Sequence, residues 1–119
     1  RAAVDAVLAI EAAQGHTPRE MVRNNPGYDI ESDTPAGLDF IEVKGRIEGA
    51  EDFIVTRQEI VHLLNKGERA VLALAEVAAD GSTRVRYVRD PMTTPPDPRT
   101  RHTVFRWADF WNDGQDMHP

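Results

Sequence analysis

The 119 residues carry 14 Lys and Arg against 20 Asp and Glu, a formal net charge of −6, with 40% hydrophobic and 29% charged residues, the composition of one globular domain with a modest core. There is no cysteine, which excludes a disulfide scaffold and a thiolate zinc site and makes a reducing, cytoplasmic compartment the expected one. The acidic excess argues against a simple basic nucleic-acid binder, no apolar run reaches membrane-spanning length and nothing at the start reads as a signal peptide, so no membrane is expected among the partners. Because the chain opens on Arg1, we expect a piece of a longer protein.

Taken in order, AAVDAVLAIEAAQG at 2–15 predicts a helix with Val4, Val7, Leu8 and Glu11 on one stripe and Gly15 as its C-terminal cap. Glu11 then lies on the apolar stripe near the negative end of the helix dipole, disfavoured by about 0.3 to 1 kcal/mol before any burial. A positive partner is expected for it, Lys44 or a cation, although Ile10 also suggests a rotated face with Glu11 at its margin. HTPREMVRNNP at 16–26 is polar, carries two prolines and shows no clear strand. GYDI at 27–30 reads as a short strand that turns around Pro35 and Gly37 into LDFIEVK at 38–44, and DFIVT at 52–56 as a third strand. TRQE at 56–59 has the form of a capping box, with Thr56 as N-cap and Glu59 reaching back. That gives Glu59 a structural reason, and capping is favoured over catalysis for it. The helix so begun buries Ile60, Leu63 and Leu64 and ends near Gly67.

RAVLALAEV at 69–77 is a continuous apolar run, expected of a central strand covered on both faces. ADGS at 79–82 turns it into a hairpin partner, TRVRYVR at 83–89. DPMTTPPDPRTR at 90–101, with four prolines, is an irregular loop, a spacer in preference to a flap. HTVFRWADFW at 102–111 reads as a strand entering a helical turn whose Trp107, Phe110 and Trp111 pack inward instead of stacking on bases, and DGQDMHP as a frayed end. The core thus spans about 3–89, with a C-terminal strand and turn at 102–113.

The chemistry concentrates on two of these segments. Side chains two apart on a strand share a face, so Glu42 and Lys44 point the same way, and Asp29 would lie one strand over, about 5 Å away. Two carboxylates suit Mg²⁺ or Mn²⁺, and an ammonium beside them can orient a water or stabilise charge on a scissile phosphate. The alternative is a solvated ion pair. Against it, Leu38 and Phe40 continue the same face, and Lys44 is one of two lysines in the chain. Gln58 and Arg46 are candidate substrate contacts. Arg84, Arg86 and Arg89, then Arg99, Arg101 and Arg106, form a possible basic rim or a merely solvated surface. The four histidines, His16, His62, His102 and His118, show no ligand spacing, and no glycine-rich phosphate loop is present.

GYDI followed by IEVKG, behind a helix with an acidic residue and ahead of a T-x-x-E helix start, resembles the NO VEIN-type C-terminal domain. That domain is a branch of the PD-(D/E)XK nuclease-like superfamily, related to Mrr-type restriction endonucleases. The resemblance spans roughly residues 3–78. It implies an α/β, restriction-endonuclease-like fold, a mixed β-sheet flanked by helices. It also implies Asp29 and Glu42 as metal ligands with the Val43 carbonyl, Lys44 as the catalytic lysine, Glu11 as the helix acid completing the pocket, and Glu59 as the glutamate of T-x-x-E. One departure stands out: related nucleases have an edge strand before the Asp strand, where this chain has the polar 16–26 segment. The expected function is Mg²⁺-dependent hydrolysis of DNA by an effector module of a larger defence or repair protein, with a fused or associated helicase or ATPase as an expected partner. The alternatives are an inactive nuclease-like docking module for nucleic acid or protein, and a structural support for a neighbouring ATPase.

Overall fold

The computed structural model describes residues 1–119 apart from Asn24 and Pro26, which belong to the polar 16–26 stretch. Among the described residues the order is α1 (Ala2–Ala13), β1 (Thr17–Glu20), β2 (Ile30–Thr34), β3 (Gly37–Ile47), β4 (Asp52–Thr56), α2 (Arg57–Lys66), β5 (Ala70–Val77), β6 (Thr83–Arg89), β7 (His102–Arg106), α3 (Trp107–Trp111) and β8 (Gln115–Met117). The alanine-rich α1 follows helix propensity and stops where Gly15 adopts φ 80°. There the Gly15 amide donates to the Ala12 carbonyl and the His16 amide to the Glu11 carbonyl, each at 3.0 Å, a Schellman closure. Val7, Ile10 and Glu11 are its buried residues, so the rotated face is the packed one, with Glu11 inside it.

Six strands form the main sheet in the order β1-β2-β3-β5-β6-β8, and β4 and β7 form a separate pair. Among the described residues only β3 and β5 run parallel, from Phe40↔Ala70 to Ile47↔Val77. Parallel neighbours need a crossover, and here it carries β4 and α2. As its apolar run predicts, β5 is buried from Ala70 to Ala75. One face of the sheet packs on α1 through Val7, Ile10, Ile41, Val71 and Val85. The other packs on α2 and β4 through Val55, Ile60, Leu63, Leu72 and Leu74. The expected mixed α/β sheet flanked by helices is the fold adopted.

Three local expectations need correction. The 16–26 stretch does supply an edge strand, because β1 pairs antiparallel with β2 from Thr17↔Asp33 to Glu20↔Ile30. An edge strand faces water, so it tolerates Pro18 and polar side chains, and Arg19 reaches Asp33 at 2.6 Å across the pair. The final residues are not simply frayed, since β8 pairs with β6 from Val85↔Met117 to Tyr87↔Gln115. The 90–101 segment is irregular as expected, yet Met92 is buried in the α2-side core and pins the loop to the body of the domain.

Candidate active site

The hairpin register places the acids. Ile30 pairs with Ile41, and the Asp29 amide continues the ladder to the Ile41 carbonyl at 2.9 Å, which sets Asp29 opposite Glu42 at the mouth of β2. Alternation along β3 sends Asp39, Ile41 and Val43 toward α1 and Phe40, Glu42 and Lys44 toward α2. Glu42 is 3% exposed. The Val43 amide donates to Asp29 Oδ2 at 2.8 Å, a main-chain bond that restricts that carboxylate.

Lys44 Nζ donates to Glu59 Oε1 at 2.9 Å, and the same oxygen accepts from the Thr56 amide at 2.8 Å. Thr56 Oγ1 in turn accepts the Glu59 amide at 3.2 Å, completing the capping box. The expected cap is therefore present, and the same carboxylate also anchors Lys44. Two roles that local sequence patterns set against each other belong to one side chain.

Burial, then the hydrogen-bonded Asp29 and its charge, then Glu59, push the Glu42 carboxyl up to about 11 against the pull of Lys44. Burial also works to raise Glu59, but hydrogen bonds from Lys44 and the Thr56 amide outweigh it and hold that carboxyl below the ordinary range. With no cation bound, Glu42 keeps its proton at neutral pH while Glu59 stays ionised.

Glu11 is not brought to this cluster. Its carboxylate accepts from the Tyr87 hydroxyl at 2.9 Å and lies 2.8 Å from His16 Nδ1, on the α1 face, with the sheet between it and Glu42. Tyr87 and His16 meet the need for a partner that pointed to Lys44 or a cation. Burial and the Glu11 charge in turn raise the Tyr87 hydroxyl above its ordinary range. Gln58 is exposed in the first turn of α2, and Arg46 is exposed at the far end of β3 in register with Glu76; both flank the cluster without touching it.

His62 is the neighbour that sequence reasoning passed over. A Cβ on Gly27 would lie 2.3 Å from the His62 ring, so the first residue of GYDI must be glycine for the chain to pass α2. Tyr28 lies edge-on to Phe40 at 5.1 Å and to His62 at 6.0 Å, and its hydroxyl donates to Glu31 at 2.8 Å. The spacing of Glu59 and His62, one turn apart on a single helix face, is the signal that points to His62.

Among the described residues no group of three or more His, Asp and Glu side chains converges with ligand geometry. The donors on offer are two carboxylates, Asp29 and Glu42, and a main-chain oxygen such as that of Val43. This suits Mg²⁺, which commonly takes one or two carboxylates and keeps several waters.

The family described as Protein NO VEIN, C-terminal, matches residues 1–88. The chain belongs to that family. No match was found among curated proteins. Among solved structures, this NO VEIN-type domain is similar to a Holliday junction resolvase from the archaeal hyperthermophile Archaeoglobus fulgidus. The TM-score is 0.63 at 16% identity, and the match covers 96% of this chain and 88% of the resolvase. At that identity the likeness speaks for the fold alone, a restriction-endonuclease-like mixed α/β architecture. No helix among the described residues is long and apolar enough to cross a membrane.

Proposed function

We propose that this NO VEIN-type domain hydrolyses phosphodiester bonds in DNA with Mg²⁺ or Mn²⁺ held by Asp29, Glu42 and the Val43 carbonyl. The observation that carries the reading is the charge imbalance: Asp29 and Glu42 oppose each other, Glu42 buried, while the Lys44 ammonium beside them is paired with Glu59. Two carboxylates so placed ionise together only against a cation. When bound, the dication supplies charge neutralisation at the phosphate and lowers the pKa of a coordinated water. Lys44, aimed by Glu59 Oε1, orients the attacking water or stabilises charge developing on a phosphoryl oxygen. Glu59 acts through Lys44 and is a positioning residue. Support for DNA as the substrate class comes from the resolvase, which by its name acts on Holliday junctions.

Two measurements test this. Mn²⁺ titrated calorimetrically into the wild type is expected to bind saturably, and Asp29→Ala and Glu42→Ala to abolish binding. Lys44→Ala is expected to lower DNA cleavage by about 100-fold or more, the cost of removing one preorganised charge-stabilising donor; unchanged cleavage at matched purity overturns the reading. The docking-module alternative keeps one observation in its favour, the lack of a third converging ligand side chain among the described residues. It predicts DNA or partner binding indifferent to divalent ions, and loss of hydrolysis in Glu42→Ala excludes it.

A further inference from the structure

Five of the six arginines grouped in sequence as one basic rim, all but Arg106 at the end of β7, separate in space into two sets. Arg86 donates to Asp116 at 2.8 Å and to the Trp111 carbonyl at 2.9 Å. Arg89 donates to both oxygens of Asp39, at 2.9 and 3.1 Å, and to the Glu68 carbonyl at 2.9 Å. Arg84 lies over the Trp111 ring at 5.6 Å. These guanidinium groups tie β6 to its surroundings.

Arg99 and Arg101 sit elsewhere, on the arch Asp97–His102 that is docked on the start of α2. The Arg57 amide donates to the Arg101 carbonyl at 2.9 Å, the Arg57 guanidinium donates to the Pro98 carbonyl, and Thr56 pairs with His102 in the β4–β7 ladder. Thr56 is also the residue that caps Glu59, which holds Lys44. The arch is thus anchored within one helical turn of the positioning residue of the candidate site. Its own turn is closed by the Arg99 amide to Asp97 Oδ1 at 2.9 Å and by the Thr100 amide to the Asp97 carbonyl at 3.0 Å, so the two arginines project from a fixed backbone.

Their side chains are available. Arg99 is 89% exposed and its pairing with Asp97, at 3.3 Å, is local and solvated, a kind of contact that contributes little. Arg101 is exposed, and its guanidinium makes no hydrogen bond or ion pair among the described residues. In a chain of net charge −6, exposed cations anchored beside the site favour one side of approach for a polyanion. The arch also lies beyond residue 88, where the family match ends.

We propose that this arch is a contact surface for the backbone of duplex DNA, Arg99 and Arg101 each neutralising a phosphate that flanks the bond presented to Lys44. The inference rests on the phosphodiesterase reading above, and its test separates the two. Binding of a fluorescently labelled DNA duplex is measured by anisotropy across a KCl series, with Ca²⁺ in place of Mg²⁺, for the wild type, for Arg99→Ala/Arg101→Ala and for Arg84→Ala. Loss of two phosphate contacts is expected to weaken binding roughly tenfold and to flatten the slope of log K against log salt by about 1.8, at about 0.9 per phosphate. The melting temperature and calorimetric Mn²⁺ binding are expected to stay as in the wild type, and Arg84→Ala to change nothing. An unchanged affinity and slope in the double variant, or no duplex binding by the wild type, overturns the arch. Failure of the metal-site reading appears separately, as absence of Mn²⁺ binding in all three proteins.

Discussion

At Glu42, burial and two neighbouring carboxylates act in one direction, and the thermodynamic consequence has a definite sign. The folded-state pKa of about 11 stands above the ordinary 4.5, so between those values the folded chain binds more protons than the unfolded one, and stability falls as pH rises. Glu42→Gln keeps the shape and a hydrogen-bond donor while removing the titration. It is expected to stabilise the metal-free fold by on the order of 1 to 4 kcal/mol at about pH 9, with a flatter dependence of stability on pH and with Mn²⁺ binding lost; urea melts at several pH values with EDTA check this. A Glu42→Gln variant that is less stable than the wild type at alkaline pH would show that the carboxylate serves the fold. Glu11 is the instructive contrast. Its helical stripe marks it as an acid needing a partner, but the partner, Tyr87, lies 76 residues away, and no periodicity within α1 reveals which strand will arrive there.

The start of α2 joins local and distant chemistry in one element. Its capping box is legible because both hydrogen bonds close within residues 56–59, and the same locality made the Gly15 stop and the turn from β2 to β3 readable. The bond from Glu59 to Lys44 is not local, since it needs the crossover that lays α2 over β3. The two roles separate by mutation. Thr56→Ala is expected to cost about 1 kcal/mol of stability with cleavage within about tenfold of wild type, because Glu59 still reaches Lys44. Glu59→Gln can still fill the capping box but loses the ion pair, and is expected to leave the thermal midpoint nearly unchanged while lowering cleavage further than Thr56→Ala does. A parallel loss of stability and cleavage in both variants would argue against a positioning role. Edge strands β1 and β8 escaped the sequence for a related reason. Short edge strands whose side chains are mostly exposed carry no clear apolar alternation, and their pairing rests on backbone hydrogen bonds that composition does not encode.

Across the whole molecule, the residues beyond the family match complete the α2-side core. Phe53 on β4 meets Phe105 at 5.9 Å, Trp107 at 5.6 Å and Phe110 at 5.5 Å, all supplied by the C-terminal segment along with buried Met92. A chain ending at Arg89 leaves Phe53 and Val55 uncovered and is expected to lose its cooperative thermal transition and its near-ultraviolet circular dichroism while binding a hydrophobic dye; a sharp transition retained by that truncation would show that residues 1–89 fold alone. Sequence by itself determined the candidate pair Glu42 and Lys44 on one strand face, the cap of α2 and the buried β5, because a strand period of two, a capping bond and an apolar run are written within a few residues; the strand expected at GYDI begins only at Ile30 and runs on to Thr34, which leaves Asp29 just ahead of it. Only the tertiary structure decided that Glu11 faces away from that cluster, that Lys44 belongs to Glu59, and that Arg86 and Arg89 are tied to distant parts of the fold while Arg99 has only its local, solvated pairing with Asp97 and Arg101 stands exposed. Those outcomes depend on strand order, on the parallel β3–β5 pairing and on the β4–β7 pair, which bring together residues whose separation along the chain leaves no local mark.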